Sequence, residues 1–216
     1  MDKFTRYWDR QSRYCYPGTS VLINLANIKE PHQLALFEVK VTGVRIAELY
    51  ERPIYGQFDL EHLKQIHRYI FQDVYPFAGK IREENITKGF FTFAQAPYIE
   101  PCAQHLFMEL AREKYLTRYP VEEFAKRAAY YLAEINVLHP FPEGNGRAYR
   151  EFIRCLALHA GYELDWSRVD RQKVLNASIQ SVTDSTDLAH VVCDSIVNRQ
   201  PNPDLKAFYI ISGRSG

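Results

Sequence analysis

The chain has 216 residues, of which 46% are hydrophobic and 25% charged, with a formal net charge of +1 and four cysteines. This length supports one good-sized core or at most two small domains, and the composition is typical of a globular protein. The near-neutral charge gives no overall field that would attract nucleic acid or an anionic membrane, so neither is expected as a direct partner. The cysteines lie far apart without a C-x-x-C pair, which predicts neither a zinc site nor a disulfide framework.

The start of the chain and its hydropathy favour a cytoplasmic location. No apolar run approaches the roughly 20 residues that a membrane-spanning helix needs. The polar start, Met1-Asp2-Lys3-Phe4, is unlike a signal peptide.

Helical periodicity dominates the first half of the chain. A turn signal at Tyr16-Pro17-Gly18 precedes a predicted helix over residues 20–27, and a longer helix is predicted over residues 31–50. Asp59 is the expected N-cap of the next helix. That helix carries two histidines without a partner at metal-ligand spacing, which are therefore interpreted as structural or exposed: His62 and His67.

Residues 80–100 have a different pattern. The segment before Lys88-Gly89 is extended in character, Lys88-Gly89 resembles a turn, and Phe90-Phe91-Thr92-Phe93 is β-prone. This predicts a single β-hairpin in a helical protein. Because an isolated hairpin is only marginally stable, it must lie on another element. On its own evidence it is either a hairpin without a role or an edge that binds another strand.

The second half is again helical. Helices are predicted from Pro101 to about residue 116, over residues 121–138 and 146–160, from a capping-box-like Ser167-x-x-Asp170 to about residue 181, and from Ser185 or Thr186 towards Pro201. Gly161 is the expected C′ residue of its helix. The last five residues, 212–216, have the composition of a disordered tail. The whole pattern predicts one mainly α domain over residues 1–200, with its core at about 60–160, followed by a C-terminal tail at 201–216.

The segment between the helices 121–138 and 146–160 carries most of the chemistry. It reads His139-Pro-Phe-Pro-Glu-Gly-Asn-Gly-Arg-Ala-Tyr-Arg150. Pro140 and Pro142 cannot continue a helix, so the first helix should end near Leu138. Two glycines before the second helix permit a tight bend and the close approach of a ligand.

This arrangement predicts an anion site. The first turn of a helix has unpaired N–H groups at the positive end of the helix dipole. Arg147 and Arg150 share one helix face and suit a polyphosphate, because a guanidinium binds phosphate oxygens through a fork of donors. Glu143 offers the kind of ligand that Mg²⁺ on phosphates prefers, and His139 can exchange a proton near pH 7. Together these residues suggest group transfer on a nucleotide.

Taken one at a time, the same residues have ordinary structural explanations. A histidine before a proline can be a helix C-cap, glycines before a helix are usually a turn, and two arginines on a helix usually form a solvated face. All of these would have to coincide at this spacing, which makes the combined motif specific.

The loop resembles the Fic motif, His-Pro-Phe-x-Asp/Glu-Gly-Asn-Gly-Arg-x-x-Arg, and every specified position is matched. Three flanking stretches, residues 16–18, 77–82 and 160–166, are also similar to stand-alone bacterial Fic toxins of the FicT and VbhT type and to the Fic domains of Bartonella effectors. The resemblance covers roughly residues 10–200. It implies the mainly α Fic (Fido) fold, with one β-hairpin flap beside the active-site loop.

Proteins that resemble this chain are nucleotidyltransferases that transfer AMP from ATP to a hydroxyl side chain of a target protein. The resemblance implies that His139 is the catalytic base and that Glu143 holds Mg²⁺ on the α- and β-phosphates. The remaining implied roles are phosphate binding by Gly144, Asn145 and Gly146, β-phosphate binding by Arg147, γ-phosphate binding by Arg150 and anchoring of the loop by Phe141.

The resemblance also gives the hairpin, at about residues 82–95, the role of a flap. Such a flap clamps a segment of the target protein by strand addition, through main-chain hydrogen bonds. Phe93 is expected to be a wedge or a core anchor. The implied docking residues are Asn85, Ile86, Thr87, Lys88, Gly89, Thr92 and Phe93.

Regulation can be predicted by the same comparison. Many Fic proteins are blocked by a helix with the pattern Ser/Thr-x-x-x-Glu-Gly/Asn, whose glutamate pairs with the second motif arginine. Only Glu84-Asn85 and Glu143-Gly144 have the right final pair here, and Lys80 and His139 stand four residues before them. We therefore expect inhibition in trans by a small antitoxin protein whose glutamate binds Arg150.

The sequence thus predicts a protein adenylyltransferase that uses ATP and Mg²⁺ as the toxin of a toxin–antitoxin pair. The resemblance to FicT-type proteins implies the topoisomerase subunits GyrB and ParE as its targets. The alternatives are a Fic enzyme of another transfer chemistry, a host-directed effector domain, and a non-enzymatic nucleotide-binding module. The intact base and metal ligand argue against the last.

Overall fold

The computed structural model of the chain describes residues 12–88 and 91–214, with side chains as far as residue 211. Its elements in chain order are α1 Pro31–Glu51, α2 Leu60–Phe71, β1 Thr87–Lys88, β2 Phe91–Thr92, α3 Ile99–Arg112, α4 Val121–Leu138, α5 Asn145–Ala160, α6 Arg171–Gln180, α7 Thr186–Ser195 and α8 Pro203–Arg214. The fold is mainly α with one small antiparallel hairpin, as predicted. None of the helices in the described ranges is long and apolar enough to cross a membrane.

The core is built around α4 and α5, which the site loop joins. Helix α4 packs against α7 and α3, and α5 packs against α2 and α8. Of the residues of α5, Phe152, Ile153, Leu156 and Ala157 are fully buried. Because α5 is surrounded by other helices, its first turn and the loop before it have a rigid support.

Several helix boundaries follow from the caps that the sequence indicates. The carboxylate of Asp59 accepts a hydrogen bond from the backbone N–H of His62 at 2.8 Å, at the start of α2. Gly161 ends α5 in the left-handed region, with φ of 91°. The capping-box prediction at Ser167 is wrong in detail, since Asp165 caps a short 3-10 turn and Asp170 caps α6 separately.

The predicted helix over residues 20–27 is not formed. Residues Cys15 and Leu22 instead form an antiparallel bridge. The side chain of Asn24 accepts a hydrogen bond from the N–H of Ile28 and donates to the carbonyls of Leu22 and Ile28. Asparagine side chains that bind nearby backbone in this way compete with helix formation, which accounts for the turn.

The predicted disorder of residues 212–216 is wrong for residues 212–214, which form the end of a helix, α8. Residues 203–214 form α8, and Pro203 is its first residue, where the missing N–H of proline costs little. The ring of Tyr209 is fully buried and stacks on Phe58, with 5.7 Å between ring centroids. Helix α8 therefore belongs to the same packed unit as α5, while residues 215–216 lie outside the described part.

The hairpin is short but firmly attached. Thr87 pairs with Thr92 and Lys88 with Phe91. Gly89 and Phe90, and hence the predicted turn and the predicted role of Gly89, lie outside the described residues. Ile86 is fully buried, and the N–H of Ala94 donates to the carbonyl of Val137 in α4 at 3.1 Å. The hairpin is thus fixed to the end of α4, beside the site loop.

Candidate active site

The site begins where α4 ends. His139 is the C-cap and has a left-handed backbone, with φ of 45° and ψ of 59°. Its N–H still donates to the carbonyl of Ile135, so the turn of the helix closes before the chain leaves it. A left-handed conformation costs a residue with a Cβ about 1–2 kcal/mol. Pro140, which follows, cannot extend the helix, so the loop departs sharply at the histidine.

A buried arginine that the sequence reasoning missed holds this turn in place. Arg82 is 1% exposed, and its Nε donates to the carbonyl of His139 at 2.7 Å. Its guanidinium also binds the carbonyls of Leu138, Glu84 and Ala94. The side chain therefore joins the end of α4 to both sides of the hairpin. The only signal in the sequence was the Phe77–Arg82 stretch, which carries no indication of these partners.

The imidazole of His139 is enclosed by the hairpin. The ring of Phe93 stacks on it, with centroids 3.8 Å apart and planes within 18°. Burial lowers the pKa of His139 to about 3, and the positive charges of Arg82 and Lys88 act in the same direction. The imidazole is therefore neutral at physiological pH, which is the form that can accept a proton.

The interior of the loop is held by Phe141, which is fully buried. Its ring stacks on that of His67 at 3.8 Å, and its backbone N–H and carbonyl are both bound by the side chain of Asn145. His67 Nδ1 accepts from the N–H of Gly79, so Nε2 carries the proton and donates to the carbonyl of Glu143 at 2.8 Å. His67 is thus a neutral structural residue, and burial lowers its pKa to about 3.

Gly144 permits the close approach that brings the loop onto α2. It has φ of +83°, and a Cβ at this position would lie 2.1 Å from the ring of Phe71. Its carbonyl accepts from the N–H groups of Arg147 and Ala148. The N–H groups at the very start of α5, on Asn145 and Gly146, have no partner within the helix, as at any helix N-terminus, and make it suited to an anion.

The two motif arginines differ in their surroundings. Arg147 forms an ion pair with Glu38 of α1 at 2.6 Å, and its guanidinium lies over the ring of Phe71. Arg150 makes no side-chain hydrogen bond or ion pair with any residue that the structure describes. Burial lowers its pKa, and the charges of Arg147 and Arg171 add to the effect. A desolvated cation beside a helix N-terminus is well placed to bind a phosphate.

Glu143 is the acidic residue of the loop. One of its carboxylate oxygens accepts the N–H of Gly144 at 2.8 Å, and the carboxylate lies 3.7 Å from Arg147. The described residues contain no group of three or more acidic, histidine or cysteine side chains that could hold a metal. A single carboxylate nevertheless fits Mg²⁺, which is commonly bound through one or two carboxylates together with substrate phosphates.

The predicted docking residues of the hairpin differ in their exposure to solvent. Ile86 and Phe93 are buried and attach it, and Asn85 accepts the N–H of Ala96 at 2.9 Å. Thr87, Lys88 and Thr92 are exposed, and so is Asn85 despite its hydrogen bond to Ala96. The hairpin is therefore attached to the protein through its buried residues, and its polar side chains face solvent next to the site.

These features define a class of protein: a helical domain whose central loop combines a neutral histidine, a carboxylate and two arginines at a helix N-terminus. Similar proteins share this architecture. A family model described as the Fic/DOC family matches residues 57–157. The chain is 42% identical over 190 residues to "Probable protein adenylyltransferase y4lH" of Sinorhizobium fredii, covering 88% of this chain and 96% of that protein. The chain belongs to the Fic/DOC family.

Other relatives and solved structures agree. The chain is 44% identical over 183 residues to "Protein adenylyltransferase VbhT" of Bartonella schoenbuchensis, covering 85% of this chain but only 38% of the length of VbhT. The structure of BepC from Bartonella tribocorum with bound AMPPNP has a TM-score of 0.80 at 26% identity, covering 87% of this chain and 97% of that one. A Fic domain from Bartonella quintana with bound ADP has a TM-score of 0.81 at 26% identity, covering 89% and 96%.

Proposed function

We propose that the protein is an adenylyltransferase that moves AMP from ATP to a hydroxyl side chain of a target protein. One observation carries the proposal: a buried, neutral His139 is held at the end of α4, and the loop that it opens leads directly to an anion site at the start of α5. A base that is neutral at working pH and a helix N-terminus with arginines are the two requirements of this chemistry. The relatives named adenylyltransferases and the nucleotide-bound neighbours support it.

The proton transfer is assigned to His139. Its imidazole takes the proton of the target hydroxyl as the oxygen forms a bond to the α-phosphorus of ATP. The bond from that phosphorus to the bridging oxygen breaks, and pyrophosphate leaves with the electron pair. The anionic phosphates oppose the effects that lower the pKa of His139, so that the imidazolium is stabilised as it forms.

The start of α5 binds the phosphates of ATP. Backbone N–H groups of Gly144, Asn145 and Gly146 bind phosphate oxygens, Arg147 contacts the β-phosphate and Arg150 the γ-phosphate. The Asn145 side chain is 3% exposed and binds Phe141, so its contribution is to shape the loop. Glu143 would hold Mg²⁺, which when bound supplies positive charge that offsets the charge developing on the leaving pyrophosphate.

The hairpin is the element that docks the target protein. Strand addition to a short exposed edge fixes the backbone of a target segment without requiring a particular side chain. Thr87, Lys88 and Thr92 face solvent there, while Phe93 connects the hairpin to the ring of His139. A hydroxyl carried by the docked strand would therefore be presented to the base.

The biological role that we propose is that of a toxin held inactive by an antitoxin. The identity to VbhT supports a relationship with proteins of that type, and the chain spans 38% of the length of VbhT. The partner would be a small protein with a Ser/Thr-x-x-x-Glu-Gly/Asn helix, because Arg150 has a desolvated charge that a glutamate would pair with. The targets that we propose are GyrB and ParE.

The test uses labelled ATP with purified gyrase and topoisomerase IV in the presence of Mg²⁺. Label from the α-phosphate, but not from the γ-phosphate, should enter GyrB or ParE. His139→Ala should abolish transfer, and His190→Ala, which removes an exposed histidine on α7, should not. Label from the γ-phosphate instead would indicate phosphate transfer. Binding of ATP without transfer of either label to any protein of a bacterial lysate would indicate a nucleotide-binding module.

A further inference from the structure

Helix α1 has its polar and apolar residues on unexpected faces. Its buried residues include Glu38, 6% exposed, and Thr42, 2% exposed, whereas Leu36, Val39 and Val44 are each at least half exposed. A buried carboxylate is strongly disfavoured unless it is paired and hydrogen-bonded. Two polar residues one turn apart on the buried side of a helix therefore indicate a specific partner.

That partner is Arg147 of the site. Arg147 Nη2 donates to Glu38 Oε1 at 2.6 Å, and Arg147 Nη1 donates to Thr42 Oγ1 at 3.0 Å. The Thr42 hydroxyl donates in turn to the carbonyl of Glu38 at 2.7 Å, which orients its lone pairs towards the guanidinium. The hydroxyl of Tyr75 donates to the second oxygen of Glu38, so that both carboxylate oxygens are bound.

The guanidinium is thereby fixed from several directions. The guanidinium lies over the ring of Phe71, with 4.6 Å from its carbon to the ring centroid, and Glu143 Oε1 lies 3.7 Å from Nη2. Burial and the neighbouring carboxylates raise the pKa of Tyr75, so its hydroxyl remains a donor at every physiological pH. An arginine side chain normally has many rotamers, and these contacts select one of them before any ligand arrives.

We propose that Glu38, supported by Thr42 and Tyr75, is a positioning residue that holds Arg147 ready for the β-phosphate of the nucleotide. The inference rests on the proposed function and extends the site to α1, which lies outside the matched residues 57–157. Two N–H groups of Arg147 are bound to α1. Its remaining donors, on Nε and on the other positions of Nη1 and Nη2, serve the ligand.

Equilibrium binding of AMP and ADP to the purified chain, by titration calorimetry with Mg²⁺, tests this role without a target protein. The two nucleotides differ by the β-phosphate. In Glu38→Gln we expect ADP affinity to fall about tenfold, the loss of roughly one charge-assisted hydrogen bond, while AMP affinity stays within about twofold. A general weakening of the fold would lower both affinities together.

A matched control is available on the same helix. Glu48 also accepts hydrogen bonds from an arginine and a tyrosine, Arg45 and Tyr69, but near the surface. Glu48→Gln should leave both affinities unchanged. Thr42→Val, which keeps the side-chain shape and removes the acceptor, should lower ADP affinity about threefold, and it provides the test if Glu38→Gln does not fold.

Three results would overturn the inference and leave the proposed function intact. Unchanged ADP affinity in both variants would mean that Arg147 needs no support from α1. Equal losses for AMP and ADP would assign Glu38 to the shape of the whole site. Tighter ADP binding in Glu38→Gln would mean that the ion pair withholds Arg147 from the phosphate. Failure of the unmodified chain to bind AMP, ADP and ATP alike would refute the proposed function itself, and with it this role of Glu38.

Discussion

Replacement of Arg82 by methionine tests how the site is held together. The substitution keeps much of the apolar stem and removes the guanidinium, which binds the carbonyls of Glu84, Ala94, Leu138 and His139. Hydrogen bonds from a charged donor contribute about 1.5–3 kcal/mol each, and carbonyls at the edge of the hairpin can recover part of this from water. We therefore expect Arg82→Met to lower the free energy of unfolding by about 3–5 kcal/mol.

The same substitution should change the base. The positive charge of Arg82 lowers the pKa of His139, and the hairpin that it fixes keeps the imidazole buried. Without Arg82 we expect the pKa of His139 to rise from about 3 towards the ordinary histidine value near 6.5. Urea denaturation measures the stability, and a proton NMR titration of the histidine ring measures the pKa.

The control is Arg112→Met, which removes an exposed arginine from the last turn of α3. It should change the free energy of unfolding by less than about 0.5 kcal/mol and leave the titration of His139 unchanged. The reasoning is refuted if Arg82→Met loses less than about 1 kcal/mol or if the pKa of His139 does not rise.

Two further predictions concern the loop and the pH dependence of stability. Gly144→Ala should abolish nucleotide binding and lower the free energy of unfolding by about 2 kcal/mol or more, because the added Cβ would overlap Phe71 at φ of +83°. Calorimetry measures the binding and urea denaturation the stability. Near-normal binding would contradict this account. Burial lowers the pKa of His62 to about 4, and that of His67 and His139 to about 3, whereas the pKa of a histidine in the unfolded chain is near 6.5. Between the folded and the unfolded pKa of each histidine, the unfolded chain therefore binds more protons than the folded chain. The free energy of unfolding should therefore be highest above pH 6.5 and fall with decreasing pH, by up to about 1.4 kcal/mol per pH unit for each histidine. Urea midpoints that do not change between pH 7 and pH 5 would be inconsistent with three neutral histidines.

Helices α1 to α7 and the loop could be predicted because their determinants are local. The start of α2 is set by Asp59, the end of α5 by Gly161, and the break after α4 by Pro140, all within a few residues of the boundary. The loop motif is continuous in sequence, so its resemblance to a family could be recognised without knowing the fold.

The parts that could not be predicted depend on partners distant in the chain. Arg82 binds carbonyls of residues 138 and 139, and Glu38 binds Arg147, a separation of 109 residues. A buried arginine and an exposed one have the same local pattern, since only the tertiary packing decides which carbonyls surround it. Helix α8 was missed for the same reason, because Tyr209 becomes a core residue only when α5 and Phe58 are in place.

The central claim is that His139 activates a target hydroxyl for transfer of AMP. The most direct measurement is tandem mass spectrometry of GyrB and ParE, and of a bacterial lysate, after incubation with the chain, ATP and Mg²⁺. The account predicts AMP on a serine, threonine or tyrosine side chain with the unmodified chain and with His190→Ala, and none with His139→Ala. The absence of AMP from every protein, with a chain that demonstrably binds ATP, would contradict it, as would modification that persists in His139→Ala.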